Sequence, residues 1–297
     1  MTAPPKRLAV GEVAPGFQLA DTDGRFLEFA PGQAPATVVV FTANGCPFAC
    51  AWHDRIQQVA RDYAEAGVRV LQIVSNDDTH HPEDSAASMR ARVDAGQLAG
   101  PFLHDIDQSA AQAYGATATP EVFVVDRGGV VRYHGAPDAD HDDPSQRASW
   151  LRDALEAVLA GRAVDRPETS PAGCSMKWRA ELLWWEGCPT HEQAADLLRA
   201  TLTQLGREDV HVVERQVRTP DEARRLEFTG SPTFAVGRHD LFPSDAAPAL
   251  ACRVYVRPDG RVSPLPDATD LADRLREALA RPWDLPGWVD PRRHATA

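Results

Sequence analysis

At 297 residues the chain is long enough for two domains of about 150 residues each, and its 43% hydrophobic and 25% charged shares exclude a disordered or fibrous protein. A net charge of −12 excludes a phosphate-neutralising surface as the main function, so no nucleic-acid partner is expected. No apolar run approaches the ~18–20 residues of a membrane span, and residues 1–11 lack the apolar stretch of a secretory leader; no membrane partner and a cytoplasmic location are the expectations.

The β-branched run Ala36–Phe41 predicts a buried strand. It leads through Asn44-Gly45-Cys46-Pro47 into a helix whose apolar stripe is Trp52, Ile56, Val59 and Tyr63, with Gly67 placed to end it. Val68–Val74 is the next strand, and a helix crosses Ser85–Ala95. Glu121–Asp126, the Gly128-Gly129 turn and Val130–His134 form a hairpin, and a helix over about Ser145–Leu159 closes this unit. Gly161–Pro171, polar and proline-containing, reads as a linker. The order then restarts. Glu181–Trp185 is a strand, and Cys188-Pro189 opens a helix striped with Ala194, Leu198, Leu202 and Leu205. Val210–Val217 (strand), Pro220–Phe228 (helix), Thr233–Val236 and Arg253–Val256 (strands) follow, then the turn at Pro258-Asp259-Gly260 and a helix with Leu271, Leu275 and Leu279. These connection lengths imply parallel early strands and antiparallel hairpins. The predicted class is α/β: two tandem units (residues 1–160 and 179–281), each a central mixed sheet flanked by helices, joined by an extension over 161–178 and followed by a tail over 282–297.

Five cysteines, an odd number without a secretory leader, favour reactive thiols or metal ligands over a disulfide framework. Cys46 sits where a strand gives way to a helix, beside unpaired N–H groups and the positive end of the helix dipole, which favour thiolate. Pro47 suits the first helical position because its missing N–H would be orphaned there anyway. The alternative for Cys46 is a small buried hydrophobe. Cys50 follows one turn later, ~6 Å away by Cα, and is either a strained resolving thiol or a buried helix residue.

The stretches GEVAPGFQLADTDG, VVVFTANGCPFACAW, VSNDDTHHPEDSAASMR, ATATPEVFVVDRGGVVRYHG and PAGCSMKW resemble the thioredoxin-fold redoxin superfamily, nearest to peroxiredoxin-like proteins of the alkyl hydroperoxide reductase and thiol-specific antioxidant type. The resemblance implies that Cys46 attacks a peroxide or a disulfide and that a cis Thr119-Pro120 bond faces it. Ala43 stands where peroxiredoxins carry a threonine, so the resemblance supports thiol redox chemistry more than peroxidase activity. Ala49 stands where a C-x-x-C motif would place its second thiol. Cys174 lies on an extension that wraps back onto the domain in the resembling proteins, and a sulfenic acid on Cys46 would condense with it if it reaches; otherwise it is a packed cysteine beside Trp178.

Around residues 179–281, CPTHEQAADLLRATL and FTGSPTF resemble glutaredoxin-like or thioredoxin-like domains, with Ser231-Pro232 at the cis-proline position. Cys188-Pro189-Thr190-His191 replaces the second thiol by histidine, leaving Cys188 for monothiol exchange and His191 either as thiolate partner or as a solvated residue. Cys252 reads as core or as a resolving thiol for Cys188. Cys46 and Cys50 together also resemble the copper site of Sco-type chaperones, although no histidine occurs over Gln112–Glu121 to complete it. The tail, with Trp283 and Trp288, would pack on a domain or on a second copy in a homodimer.

The reading is a thiol oxidoreductase with Cys46 as nucleophile, exchanging electrons with Cys188, with no metal or organic cofactor. Its substrate would be a peroxide or a disulfide, and its reductant thioredoxin or a low-molecular-weight thiol. The alternatives are a redox sensor holding an extended peptide on the cis-proline face, and a Cu(I)-binding protein.

Overall fold

The computed structural model describes residues 8–279, which divide into two compact units meeting in sequence between Met176 and Lys177. The aromatic tail lies outside the described residues.

In the first unit β1 (Phe17–Asp21) and β2 (Phe26–Phe29) form a hairpin ahead of β3 (Ala36–Thr42), α1 (Pro47–Asp62) and β4 (Arg69–Val74). A 3-10 turn (Pro82–Asp84), α2 (Ala86–Asp94), β5 (Phe102–His104) and α3 (Ser109–Tyr114) follow, then β6 (Ala118–Thr119), β7 (Glu121–Asp126), β8 (Val131–Gly135), α4 (Ser149–Leu159) and β9 (Cys174–Ser175). The seven-stranded sheet has the order β2-β1-β5-β4-β3-β7-β8, with β3, β4 and β5 parallel and β7 and β8 antiparallel additions. β3 lies inside the sheet, so both its faces are covered and its sequence is a near-continuous apolar run rather than an alternating one. Val38 and Val40 meet Trp52 and Ile56 of α1 and Leu151 and Leu155 of α4. On the other face Phe41 packs edge-on to Tyr114 of α3.

The hairpin of β1 and β2, β5 and α3 are not legible as elements in the sequence: each is short or weakly patterned, and each is held by its pairing partners. α1 stops at Asp62, five residues before Gly67, and Gly67 (φ +75°) closes the turn after it through a hydrogen bond to the Ala64 carbonyl (2.9 Å).

The segment after α4, which its polarity marks as a linker, belongs with the first unit. Its backbone is tied to β8 by His134 N–H to the Pro167 carbonyl (3.0 Å) and Thr169 N–H to the His134 carbonyl (2.9 Å). Val164 and Ala172 pack on the core. This course brings Cys174 back to β6.

A buried ion pair fixes α1 against the loop before α4. Asp138, with a fully buried side chain, accepts from Arg55 at 2.8 and 2.9 Å, from the Trp52 indole (2.6 Å) and from Ala148 N–H (2.8 Å).

The second unit contains β10 (Arg179–Trp184), α5 (His191–Gln204), β11 (His211–Gln216), α6 (Pro220–Arg225), β12 (Thr233–Val236), β13 (His239–Asp240), the hairpin β14 (Tyr255–Val256) and β15 (Val262–Ser263), and α7 (Ala268–Ala278). Its four-stranded sheet runs β11-β10-β12-β13, with β10 and β11 parallel and the other pairings antiparallel. Both units are thus α/β, with a mixed central sheet and flanking helices, the class that the sequence predicts.

Replacing Asp138 by alanine leaves the buried Arg55 guanidinium without its carboxylate. We expect a loss of about 3–5 kcal/mol in the first unit, read as a lower urea midpoint for the full chain carrying Asp138→Ala.

Candidate active site

Cys46 is the N-cap of α1. Its backbone is extended (φ −83°, ψ 119°), Pro47 takes the first helical position, and its Sγ accepts the orphaned N–H of Ala49 at 3.5 Å. The loop leading to it is pinned from the other side. Asn44 N–H donates to Asp84 (2.5 Å), the Asn44 amide to the Glu83 carbonyl (2.8 Å), and Arg92 to the Asn44 side-chain oxygen (2.7 Å). Burial pushes the Asp84 carboxyl up, against the hydrogen bonds from Asn76 and Asn44.

Thr119 and Pro120, joined by a cis bond, face this cap. The Cys46 thiol donates to the Thr119 carbonyl at 2.9 Å. The Thr119 hydroxyl is fully buried without a hydrogen-bond partner and lies near the same sulfur, where it favours the thiolate. β9 runs antiparallel to β6 with Cys174 opposite Thr119 and Ser175 opposite Ala118. That register brings the Cys174 thiol and its N–H onto Cys46. The Cys174 thiol is the main cause that holds the Cys46 pKa at about 6, below the ordinary 9.0; burial opposes it, and the Thr119 hydroxyl and the N–H groups of Ala49 and Cys174 add to it. Cys46 is only 4% exposed, with Ala43, Ala49 and Phe48 around it. Cys46 is thus enclosed as a small hydrophobe would be, while the donors around it push its pKa down.

Cys50 does not join this cluster, and it is exposed on α1, not the buried helix residue that the sequence allowed. Its thiol donates to the Asn44 carbonyl at 3.2 Å, and burial pushes its pKa up, against the Arg92 guanidinium. Among the described residues Cys46 and Cys50 belong to no group of three convergent ligating side chains, so the copper reading finds no third ligand.

One pair that supports the site is not evident from sequence. Glu121, directly after Pro120, is fully buried and accepts from the N–H groups of Thr117 (2.7 Å) and Ala118 (2.9 Å). His134 of β8, also buried, donates to its other oxygen at 2.5 Å. The pair holds the backbone that presents Thr119. The only hint in the sequence is an acidic residue opening the otherwise apolar stretch Glu121–Val125.

In the second unit Ser231-Pro232 is also cis, but the thiol is placed differently. The helix begins at His191 with Thr190 as its N-cap, so Cys188 precedes the cap and does not occupy it. Cys188 is 5% exposed, and its Sγ lies 3.7 Å from the Thr190 hydroxyl. His191 stacks on Trp184 (4.2 Å between centroids) and uses Nδ1 on the Cys188 carbonyl (3.3 Å), not on the sulfur. These contacts leave His191 off the Cys188 sulfur, as a half-buried residue at the start of α5. Ser231 accepts the Trp185 N–H at 3.4 Å and bridges to Cys252, which is exposed rather than core.

Residues 10–134 match the AhpC/TSA family. No match is found among curated proteins. Among solved structures, a hypothetical protein from Sinorhizobium meliloti is 34% identical with a TM-score of 0.55, over 58% of this chain and 96% of its own. An uncharacterized conserved protein from Geobacillus kaustophilus is 32% identical with a TM-score of 0.53, over 58% of this chain and 94% of its own. With its matched segment carrying the capped cysteine and the Thr119-Pro120 element, the first unit of the chain belongs to the AhpC/TSA family.

Proposed function

We propose that the chain is a thiol oxidoreductase in which Cys46 is the nucleophile and Cys174 resolves it. The observation that carries this reading is the register of β6 and β9, which sets the Cys174 thiol on the Cys46 sulfur. A pKa of about 6 keeps most of Cys46 ionised near neutral pH, which is what attack on an oxidant requires.

With a hydroperoxide, the thiolate attacks the terminal oxygen. The O–O bond breaks, sulfur gives up two electrons to become sulfenic acid, and the leaving alkoxide takes a proton from solvent. The Cys174 sulfur then displaces water, giving a Cys46–Cys174 disulfide. With a disulfide substrate the thiolate forms a mixed disulfide and releases one thiol, and Cys174 releases the second. Two thiol equivalents, from thioredoxin or a low-molecular-weight thiol, restore the pair. The Thr119 hydroxyl and the Ala49 N–H are placed to donate to charge at the sulfur throughout. Although Ala43 lacks a hydroxyl, Thr119 brings one to the same sulfur from the opposite element. The cycle needs no sulfur from the second unit.

Titrating thiolate ultraviolet absorbance, as the difference between the native chain and Cys46→Ser, should give a midpoint near 6. Cys174→Ala should move it up toward ~8.5, because the chief donor is gone while burial stays; Cys174→Ser should move it less. An unchanged midpoint in Cys174→Ala would show that the second thiol does not stabilise the first.

One equivalent of hydrogen peroxide should yield, by peptide mass mapping, a disulfide joining Cys46 to Cys174. Cys174→Ser should stop at sulfenic acid on Cys46, trapped by dimedone. A disulfide joining Cys46 to Cys50 or Cys188 in the native chain would assign resolution elsewhere.

A further inference from the structure

β6 gives the Cys46 site a short strand edge along which an extended polypeptide would lie. β6 is outside the main sheet, and the backbone groups on its outer edge are the ones a peptide would use to add a strand beside Cys46. That edge is taken by the chain itself. β9 pairs with it residue for residue, and Met176 N–H continues the ladder to the Thr117 carbonyl at 2.9 Å. The residue opposite Thr119 is the one whose side chain meets the Cys46 sulfur. A polypeptide substrate would have to place its own cysteine there, and here the place belongs to Cys174.

Two residues hold the strap in this position. Gly173 approaches so closely that a Cβ on it would lie 2.7 Å from the Thr119 carbonyl carbon and nearer still to its oxygen, backbone atoms that cannot swing aside. Met176, 1% exposed, anchors the far end.

We propose that the 173–176 strap is a built-in occupant of the peptide edge, so that the site is closed to polypeptide disulfides and takes small oxidants, with Gly173 as the residue that sets this selectivity. The inference rests on Cys46 being the reactive thiol. It concerns which oxidants reach that thiol.

The test compares the full chain with Gly173→Ala, whose methyl group forces the strap off Thr119. Each protein, fully reduced, is mixed with hydrogen peroxide or with insulin, whose disulfides are the polypeptide probe. In the insulin reaction Cys46 attacks the disulfide, one insulin thiol leaves, and Cys174 releases the second. The readout is the ratio of the insulin to the peroxide rate constant, in which any change of thiolate fraction cancels. We expect this ratio to rise at least tenfold in Gly173→Ala; an equal ratio in both proteins overturns the proposal.

Should Gly173→Ala fail to fold, Cys174→Ser keeps the strap and removes only the resolving thiol. We then expect dimedone-trapped sulfenic acid on Cys46 after peroxide, and no mixed disulfide between Cys46 and a decapeptide bearing an activated disulfide. Mixed-disulfide formation at a rate comparable to peroxide oxidation overturns the strap while leaving Cys46 as the nucleophile. Reaction with neither probe overturns both.

Discussion

The pairing of Thr119 with Cys174 is the constraint on which the first unit's chemistry depends. A two-residue ladder is a slight structure by itself, yet its register decides which side chain stands over the N-cap of α1. A slip of one residue would turn Cys174 to the other face and bring Ser175 or Gly173 to the sulfur. The register is held from both sides: Glu121 and His134 fix the backbone of β6, and the hydrogen bonds of residues 167–169 to β8 aim the chain that becomes β9.

Enclosure and ionisation oppose one another at Cys46, and the donor set decides the balance. Holding the thiol at about 6 instead of 9.0 corresponds to about 4 kcal/mol in favour of the anion, after burial has worked the other way. Because the folded value lies below the unfolded one, the stability gained is complete only above the unfolded value of 9.0 and is lost as pH falls through about 6. Near pH 7 about 1 kcal/mol of it remains. The donors therefore act mainly on reactivity. In the proposed cycle, oxidation would exchange the Cys174 hydrogen bond for a covalent one in the same place.

What could be read from the sequence followed from how local each determinant is. Cys46 as a cap, Pro47 behind it, the parallel β3 and β4 and the β7–β8 hairpin rest on neighbours a few residues apart. The position of Cys174 rests on a pairing across 55 residues with no amphipathic signature, in a segment whose polarity reads as a linker. Glu121 and His134 were hidden for a related reason: a buried acid is costly alone, and its partner lies on the adjacent strand. Arg55 and Asp138, 83 residues apart, escape notice in the same way.

Comparison of the two Cys-Pro motifs shows why the dipeptide is a weak guide to a reactive thiol. At Cys46-Pro47 the strand ends at Thr42 and the helix starts at the proline, so the sulfur itself receives a helix N–H. At Cys188-Pro189 the helix starts two residues past the proline, and Thr190 takes the cap position. The second sulfur is left with a hydroxyl at 3.7 Å, while the histidine that would have assisted it is committed to Trp184 and to a backbone carbonyl. Burial of the two thiols is nearly equal, 4% and 5%, so exposure does not distinguish them. The difference is whether a first-turn amide of the helix meets the sulfur: Ala49 N–H reaches Cys46 Sγ, whereas α5 begins two residues past the proline, with Thr190 as a cap whose side chain accepts no helix N–H.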